Sequence, residues 1–388
     1  MPIFELKNIS QAGATEVNAP PIVGRRVELQ LLTTLRCNLK CTYCSLGVGE
    51  VLGSQRNVTY SMEELDAFIA KHLVGYETYV TFYGGEPTLN LEFMANVMER
   101  YPAFRFQLQT NGTLLDRLPA SILSNLSNIL VSIDGGEGTT DTHRGRGIYR
   151  QVMKHLDAIR GGLGGVATAR VTWSSEDTSF EEIDGLTKHF DYVYFQFAQK
   201  DDVYHPLALQ KKRRVLALLV EKFFASEALY PLIPLMGVVR NKVLPSRAQE
   251  LYAGMSQCRV STHILNVMPD GKIYPCPDMM YLPQMQQGDV AANWLRRSPL
   301  QPHPNMPCES CEALAFCRRN CMKNLYRAYV QGDEAYRRLV VEPVCSLVRF
   351  LGEEVDRHEP HRWYARAPLA LRKSLADCEV YEYVEIMP

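Results

Sequence analysis

Between Arg26 and about Phe224, extended apolar runs take turns with helix-spaced segments, and this alternation restricts the fold more than any other feature of the chain. Residues 27–35, 78–83, 104–110, 128–134, 167–173 and 192–198 read as six strands, rich in β-branched and aromatic side chains. Ser61 and Glu64 form a capping-box signature that opens a helix in which Leu65, Phe68, Ile69 and Leu73 share one face. Further helical spacing runs through 91–100, 149–160, 181–189 and 207–224, with a short piece at 121–126. Strict β/α alternation requires a parallel sheet with helices outside it, as a closed or partial barrel or an open doubly wound sheet. In either arrangement the chemistry belongs at the C-terminal ends of the strands.

After about Tyr230 the pattern changes to proline-rich connections, a hairpin over 262–276 that turns at Asp270 and Gly271, and a dense run of cysteines. At 388 residues, two or three packed units are expected. The expected division is an extended arm over 1–25, a (β/α)6 unit over 26–235, a cysteine-rich unit over 236–350 and a C-terminal segment over 351–388. A formal charge of −1 argues against a nonspecific grip on nucleic acid or on an anionic membrane through bulk charge. The most apolar run, 215–220, is flanked by Lys and Arg and is too short to span a bilayer. The first residues lack the basic start and apolar core of an export signal, so a cytoplasmic location is expected. Eleven cysteines in such a chain suit metal or cluster ligation better than a disulfide framework.

Directly after the first strand comes LRCNLKCTYC, with Cys37, Cys41 and Cys44 spaced C-x3-C-x2-C. Three thiolates from one loop can bind three irons of a cubane 4Fe-4S cluster and leave the fourth iron open to a small molecule bearing adjacent amine and carboxylate groups. A zinc knuckle completed by a distant ligand is the alternative.

The loop resembles the cluster-binding signature of the radical S-adenosylmethionine (radical SAM) superfamily, including an aromatic residue, Tyr43, before the last cysteine. Gly84, Gly85, Glu86 and Pro87, after the second strand, resemble the family's GGEP segment. The resemblance implies that main chain and carboxylate there hold the methionyl amino group, and an exposed carboxylate would suit an ammonium. QTNG (109–112) and SIDG (132–135) end the third and fourth strands as in the family's peptide-modifying branch, which implicates Ser132 in cofactor binding. Arg144 stands where the family has an arginine facing the SAM carboxylate, a task that suits a guanidinium. Arg146 follows closely, leaving the choice between the two open.

Seven further cysteines form C-x12-G-x4-C (Cys258, Gly271, Cys276), then C-x2-C-x5-C-x3-C (Cys308, Cys311, Cys317, Cys321), then Cys345. This arrangement resembles the SPASM domain that follows radical SAM barrels in peptide and protein maturases. The resemblance implies two auxiliary clusters, one on Cys308, Cys311, Cys317 and Cys345. The other would sit on Cys258, Cys276 and Cys321, with its fourth position open to substrate, to a noncysteine side chain or to Cys378. Structural zinc, or clusters that only brace the fold, are the alternatives for this region. Asp278, two residues after Cys276, is a candidate base beside that cluster, as acidic residues are in some relatives.

Taken together, the resemblance implies a partial (β/α)6 TIM-like radical SAM barrel followed by a small iron-sulfur SPASM domain. It implies three 4Fe-4S clusters and reductive cleavage of SAM to a 5′-deoxyadenosyl radical that abstracts hydrogen from a ribosomally made peptide. Crosslinking, epimerisation and excision are the outcomes known in the family. A sulfatase-type protein maturase, a small-molecule dehydrogenase and a nonenzymatic cluster carrier are the alternatives. The expected partners are a precursor peptide and an external electron donor such as flavodoxin or ferredoxin. The 25 or so residues before the first strand are too few for a folded leader-binding module, so a separate small protein is expected to present the leader.

Overall fold

The computed structural model describes residues 26–44, 57–174, 176, 178–200, 203–246, 256, 258–260, 262–280, 282–296, 300, 302–319 and 321–377. The expected N-terminal arm and Cys378 lie outside these residues. Six strands, β1 (Arg26–Thr34), β2 (Glu77–Gly84), β3 (Arg105–Thr110), β4 (Leu126–Ser132), β5 (Val166–Trp173) and β6 (Tyr192–Phe197), pair in sequence order, every neighbour parallel. Each differs from its expected range by two residues or fewer. The helices between them are α1 (Met62–His72), α2 (Leu91–Arg100), α3 (Ala120–Leu123), α4 (Glu137–Arg144), α5 (Ile148–Ile159) and α6 (Phe180–Leu186), with α7 (Pro206–Ala225) after β6. This is the α/β architecture of a partial TIM-like barrel.

Local chemistry sets these elements. Ser61 Oγ accepts from the Glu64 N–H while the Glu64 carboxylate accepts from the Ser61 N–H, the reciprocal cap that starts α1. Ser179 and Glu182 repeat the device at α6. Alternate strand residues such as Leu29, Leu31, Phe82 and Val171 are buried in the apolar core. The opposite strand face is polar: Thr81 Oγ1 donates to Glu28 at 2.6 Å, and Asn128 links Gln107 and Thr168.

The second unit shares the sheet of the first. Strand β7 (Ile264–Val267) lies parallel to β1 on the edge away from β2, and β8 (Lys272–Tyr274), β9 (Gly288–Asp289) and β10 (Trp294–Leu295) extend the sheet antiparallel. The expected hairpin is β7–β8, with Gly271 in the left-handed region at φ 83°.

Helices α8 (Ile233–Val243), α9 (Glu342–Arg357), α10 (Pro360–Arg366) and α11 (Leu369–Asp377) complete the chain. The expected boundaries at 235 and 350 fall inside α8 and α9. Nearly every residue of α8 is buried, so it carries no polar stripe to betray it in sequence. Among the described residues no helix is long and apolar enough to cross a membrane.

Candidate functional site

The C-terminal ends of the parallel strands converge on the loop that carries the first three cysteines. Asn111, just beyond β3, points its Nδ2 at Cys37 Sγ (3.9 Å) and at Asn38 Oδ1 (2.8 Å). The Leu39 N–H also faces Cys37 Sγ, at 3.4 Å. Thr42 is held on both sides of its peptide: its N–H donates to the His143 carbonyl at 3.0 Å, and Lys200, beyond β6, donates to its carbonyl at 3.2 Å. The His143 ring bridges Thr42 Oγ1 (2.8 Å) and Ser174 Oγ at the end of β5 (3.0 Å).

The glycine pair at the end of β2 packs against the stem of the cysteine loop. Gly85 N–H donates to the Thr34 carbonyl and Glu86 N–H to the Arg36 carbonyl, so this turn crosses the stem of the cysteine loop. A Cβ at Gly84 would stand 2.2 Å from Thr34 O, and one at Gly85 2.2 Å from Arg36 O. Glu86 corrects the expectation of an exposed carboxylate, because its relative exposure is 0%. Its Oε1 accepts from the Thr88 N–H, Thr88 Oγ1 and Thr110 Oγ1, and its Oε2 from the Asn111 N–H at 2.7 Å. It caps the single turn Pro87–Asn90 and ties the ends of β2 and β3 together. Burial pushes its pKa up.

Ser132 is the last residue of β4, and Asp134, two residues on, is fully buried. Asp134 binds Arg144, the last residue of α4, through Nε at 2.8 Å and Nη2 at 3.0 Å. The remaining nitrogen, Nη1, faces Cys41 Sγ at 4.0 Å. Arg144 is buried whereas Arg146 is exposed, so of the two arginines it is Arg144 that the fold turns toward the cysteine loop. Tyr43 reaches into the same pair, its hydroxyl donating to Asp134 at 2.7 Å and its ring lying under the Arg144 guanidinium.

Burial pushes the Cys37 and Cys41 thiols up, and each also feels Cys44 as a neighbouring negative charge. Three mutually repelling thiols, one with N–H donors aimed at its sulfur, form a donor set suited to positively charged irons bridged between them.

Among the later cysteines, Cys345 interacts with Cys308 and Cys311, and Cys321 with Cys258. Cys308 and Cys311 lie in and after the turn Pro307–Ser310, and Cys317 ends the short helix Leu314–Cys317. Cys345 on α9 is pushed up to about 11, chiefly by burial and then by Cys308 and Cys311. Cys321 is pushed up to about 12 by burial against the pull of Lys323, with Cys258 and Asp278 adding to the rise. Cys276 acts on Lys323 in turn. Among the described residues no three His, Cys, Asp or Glu side chains are set to hold a single metal ion.

Asp278 is ion-paired: its Oδ2 lies 3.0 Å from the buried ammonium of Lys323, which also bonds Gln199. Gln199 Nε2 in turn faces Cys321 Sγ at 3.8 Å. Sequence reasoning finds Asp278 but neither Lys323 nor Gln199. It also gives Asp134 no role within SIDG, although an acid two residues beyond a strand end is an available signal.

Residues 31–169 match the radical SAM superfamily. Over 114 residues, 26% of this chain, the sequence is 38% identical to a cysteine-type anaerobic sulfatase-maturating enzyme of Clostridium perfringens, covering 30% of that protein. Over 129 residues, 32% of this chain, it is 34% identical to Fe-coproporphyrin III synthase of Methanosarcina barkeri, covering 31% of that protein. The chain therefore spans about a third of the length of these curated relatives. In fold it is similar to anSMEcpe solved with bound AdoMet, with a TM-score of 0.65 at 20% identity over 93% of this chain and 100% of that one. Streptococcus suis SuiB bound to its precursor peptide SuiA is similar with a TM-score of 0.54 at 19% identity, over 77% of this chain and 73% of that one.

Proposed function

We propose that the chain is a radical SAM enzyme of the SPASM type that modifies a ribosomally made precursor peptide. One arrangement carries the reading: Cys37, Cys41 and Cys44 stand on one loop at the C-terminal mouth of six parallel strands, ringed by Asn111, Asp134 and Arg144. In this reading those three thiols hold the 4Fe-4S cluster, with Tyr43, Gly84, Gly85, Glu86, Pro87, Ser132 and Arg144 shaping the SAM site around it. Bound and reduced, that cluster would supply one electron for reductive carbon-sulfur cleavage of SAM, the source of the 5′-deoxyadenosyl radical that would take hydrogen from the substrate.

The chain's own residues do the placing. Gly84 and Gly85 let the β2 exit press against the loop stem, and Glu86 fixes the β2 and β3 ends without itself reaching solvent. Cys308, Cys311, Cys317 and Cys345 hold a second cluster, and Cys258, Cys276 and Cys321 a third whose fourth ligand is substrate, a noncysteine side chain or Cys378. Asp278 is the candidate base beside that third site, held by Lys323. The substrate class is supported by relatives of the same fold, since SuiB was solved with a precursor peptide and anSMEcpe with peptides. A separate small protein presents the leader, and a flavodoxin- or ferredoxin-like donor supplies the electron.

The test is anaerobic incubation of the iron-loaded chain with SAM and dithionite. The reading requires 5′-deoxyadenosine, whereas a cluster carrier gives none. The stretch matching a sulfatase-maturating enzyme favours one second reading, a protein maturase that oxidises a serine or cysteine. Coexpression with candidate precursors in deuterated water followed by tandem mass spectrometry separates the two: a bond located between two residues, a deuterium gained at an inverted carbon or an excised fragment supports the first, and an oxidation confined to one serine or cysteine side chain the second.

A further inference from the structure

Resting on that reading, we propose that Asp134 is a positioning residue for SAM, acting through Arg144 and Tyr43 rather than by touching the cofactor. Its carboxylate is buried completely and accepts four hydrogen bonds from three separate elements. Two come from Arg144 at the end of α4, one from Tyr43 in the cysteine loop and one, at 3.1 Å, from the Thr172 N–H on β5. The backbone beneath it is pinned as well, since Thr140 Oγ1 accepts from the Asp134 N–H at 3.1 Å.

The consequence lies in guanidinium geometry. Arg144 spends its Nε–Nη2 edge on the carboxylate, which leaves Nη1 as the donor facing the Cys41 corner of the loop. Asp134 thus decides which edge of Arg144 is available, and where. By binding Tyr43, two residues from Cys41, it also locks the distance between that donor and the thiol trio. With Asp134 neutralising the arginine, a ligand carboxylate meets an oriented hydrogen-bond donor whose aim, more than its charge, sets affinity.

The test is Asp134→Asn, which keeps shape but offers the guanidinium an N–H where it needs an acceptor. Electron paramagnetic resonance of the dithionite-reduced, iron-loaded chain is followed during titration with SAM. The SAM concentration giving half the spectral change should rise at least about tenfold, the scale of one lost charge-assisted hydrogen bond. Iron content and the SAM-free spectrum should stay as in the wild type, while the melting temperature falls because the buried guanidinium loses its counter-charge.

An unchanged midpoint overturns the proposal, and so does a loss of SAM response that follows in step with loss of iron, because that marks a merely structural residue. Should Asp134→Asn fail to fold, Tyr43→Phe decides. It removes one hook from Asp134 and leaves the arginine pair intact, and a midpoint shift of about threefold is expected because this hydrogen bond acts on SAM only through Asp134; no shift overturns the proposal. If the wild-type chain itself binds no iron or shows no response to SAM, it is the reading of function that fails, whatever the variants do.

Discussion

Lys323 Nζ lies 3.0 Å from Asp278 Oδ2, joining a side chain 9% exposed to one 35% exposed across 45 residues of sequence. A buried ammonium beside two thiols would be costly alone, and the half-open carboxylate offsets that cost while keeping one flank toward solvent. The aspartate is thereby fixed in place rather than loose on its turn, which is what a base working on a bound substrate needs.

Replacing Asp278 by Asn separates the two stages of the proposed reaction. SAM cleavage depends on the first cysteine loop, so 5′-deoxyadenosine should still form. Formation of modified peptide should fall by roughly 10²–10⁴-fold, the usual contribution of a positioned base. Product and 5′-deoxyadenosine are counted in the same assay, and parallel loss of both would show that Asp278 acts on the fold instead.

How much of this was legible in the sequence depended on whether the signal was local. The six strands and the cap at Ser61 rest on neighbours one to four residues away, and their pattern survives into the fold. The proposed partition of the later cysteines rests on their spacing, and the fold adds that Cys345 interacts with Cys308 and Cys311. By contrast, α8 is buried on every side and reads as no pattern at all. Glu86 could be placed by its motif but not oriented, because the two preceding glycines let the backbone turn its carboxylate inward onto Thr110 and Asn111. The Asp278–Lys323 pair joins residues that only the folded chain makes neighbours.

Gly84→Ala should cost stability and loop geometry together. The residue sits at φ 138°, where an L side chain is strained, and its Cβ would lie 2.2 Å from the Thr34 carbonyl. Strain and displacement of the loop stem together should cost about 2–4 kcal/mol in denaturant unfolding. Gly138→Ala is the control: it lies within α4 with nothing within 4 Å of its Cβ, and should be neutral or stabilising by up to about 1 kcal/mol. Equal losses in the two variants would rule out the steric explanation.

His143 should make the iron-free chain acid-sensitive. Burial holds its imidazole below the ordinary value of 6.5, so the folded state favours the neutral ring that bridges Thr42 and Ser174. As pH falls below the ordinary value, the unfolded chain takes up the proton first. Stability present above that value is therefore lost as pH falls through the lowered folded one. Urea midpoints measured downward from neutral pH should drop more steeply for the wild type than for His143→Gln; identical slopes would show that the imidazole plays no part in the acid response.

Iron counting tests the cysteine partition without any substrate. Three four-iron clusters correspond to about twelve irons per chain after reconstitution. Replacing Cys37, Cys41 and Cys44 by alanine should leave about eight and abolish 5′-deoxyadenosine, because in the proposed reading these three thiols hold the cluster that cleaves SAM. Replacing Cys308, Cys311 and Cys345 should also leave about eight, yet spare SAM cleavage, since those residues lie on the elements from 307 onward and not on the strand ends. Zinc in place of iron at the later cysteines would appear in the same metal analysis as four irons and about two zincs, and would leave SAM cleavage intact while removing any electron-accepting role from that half of the chain.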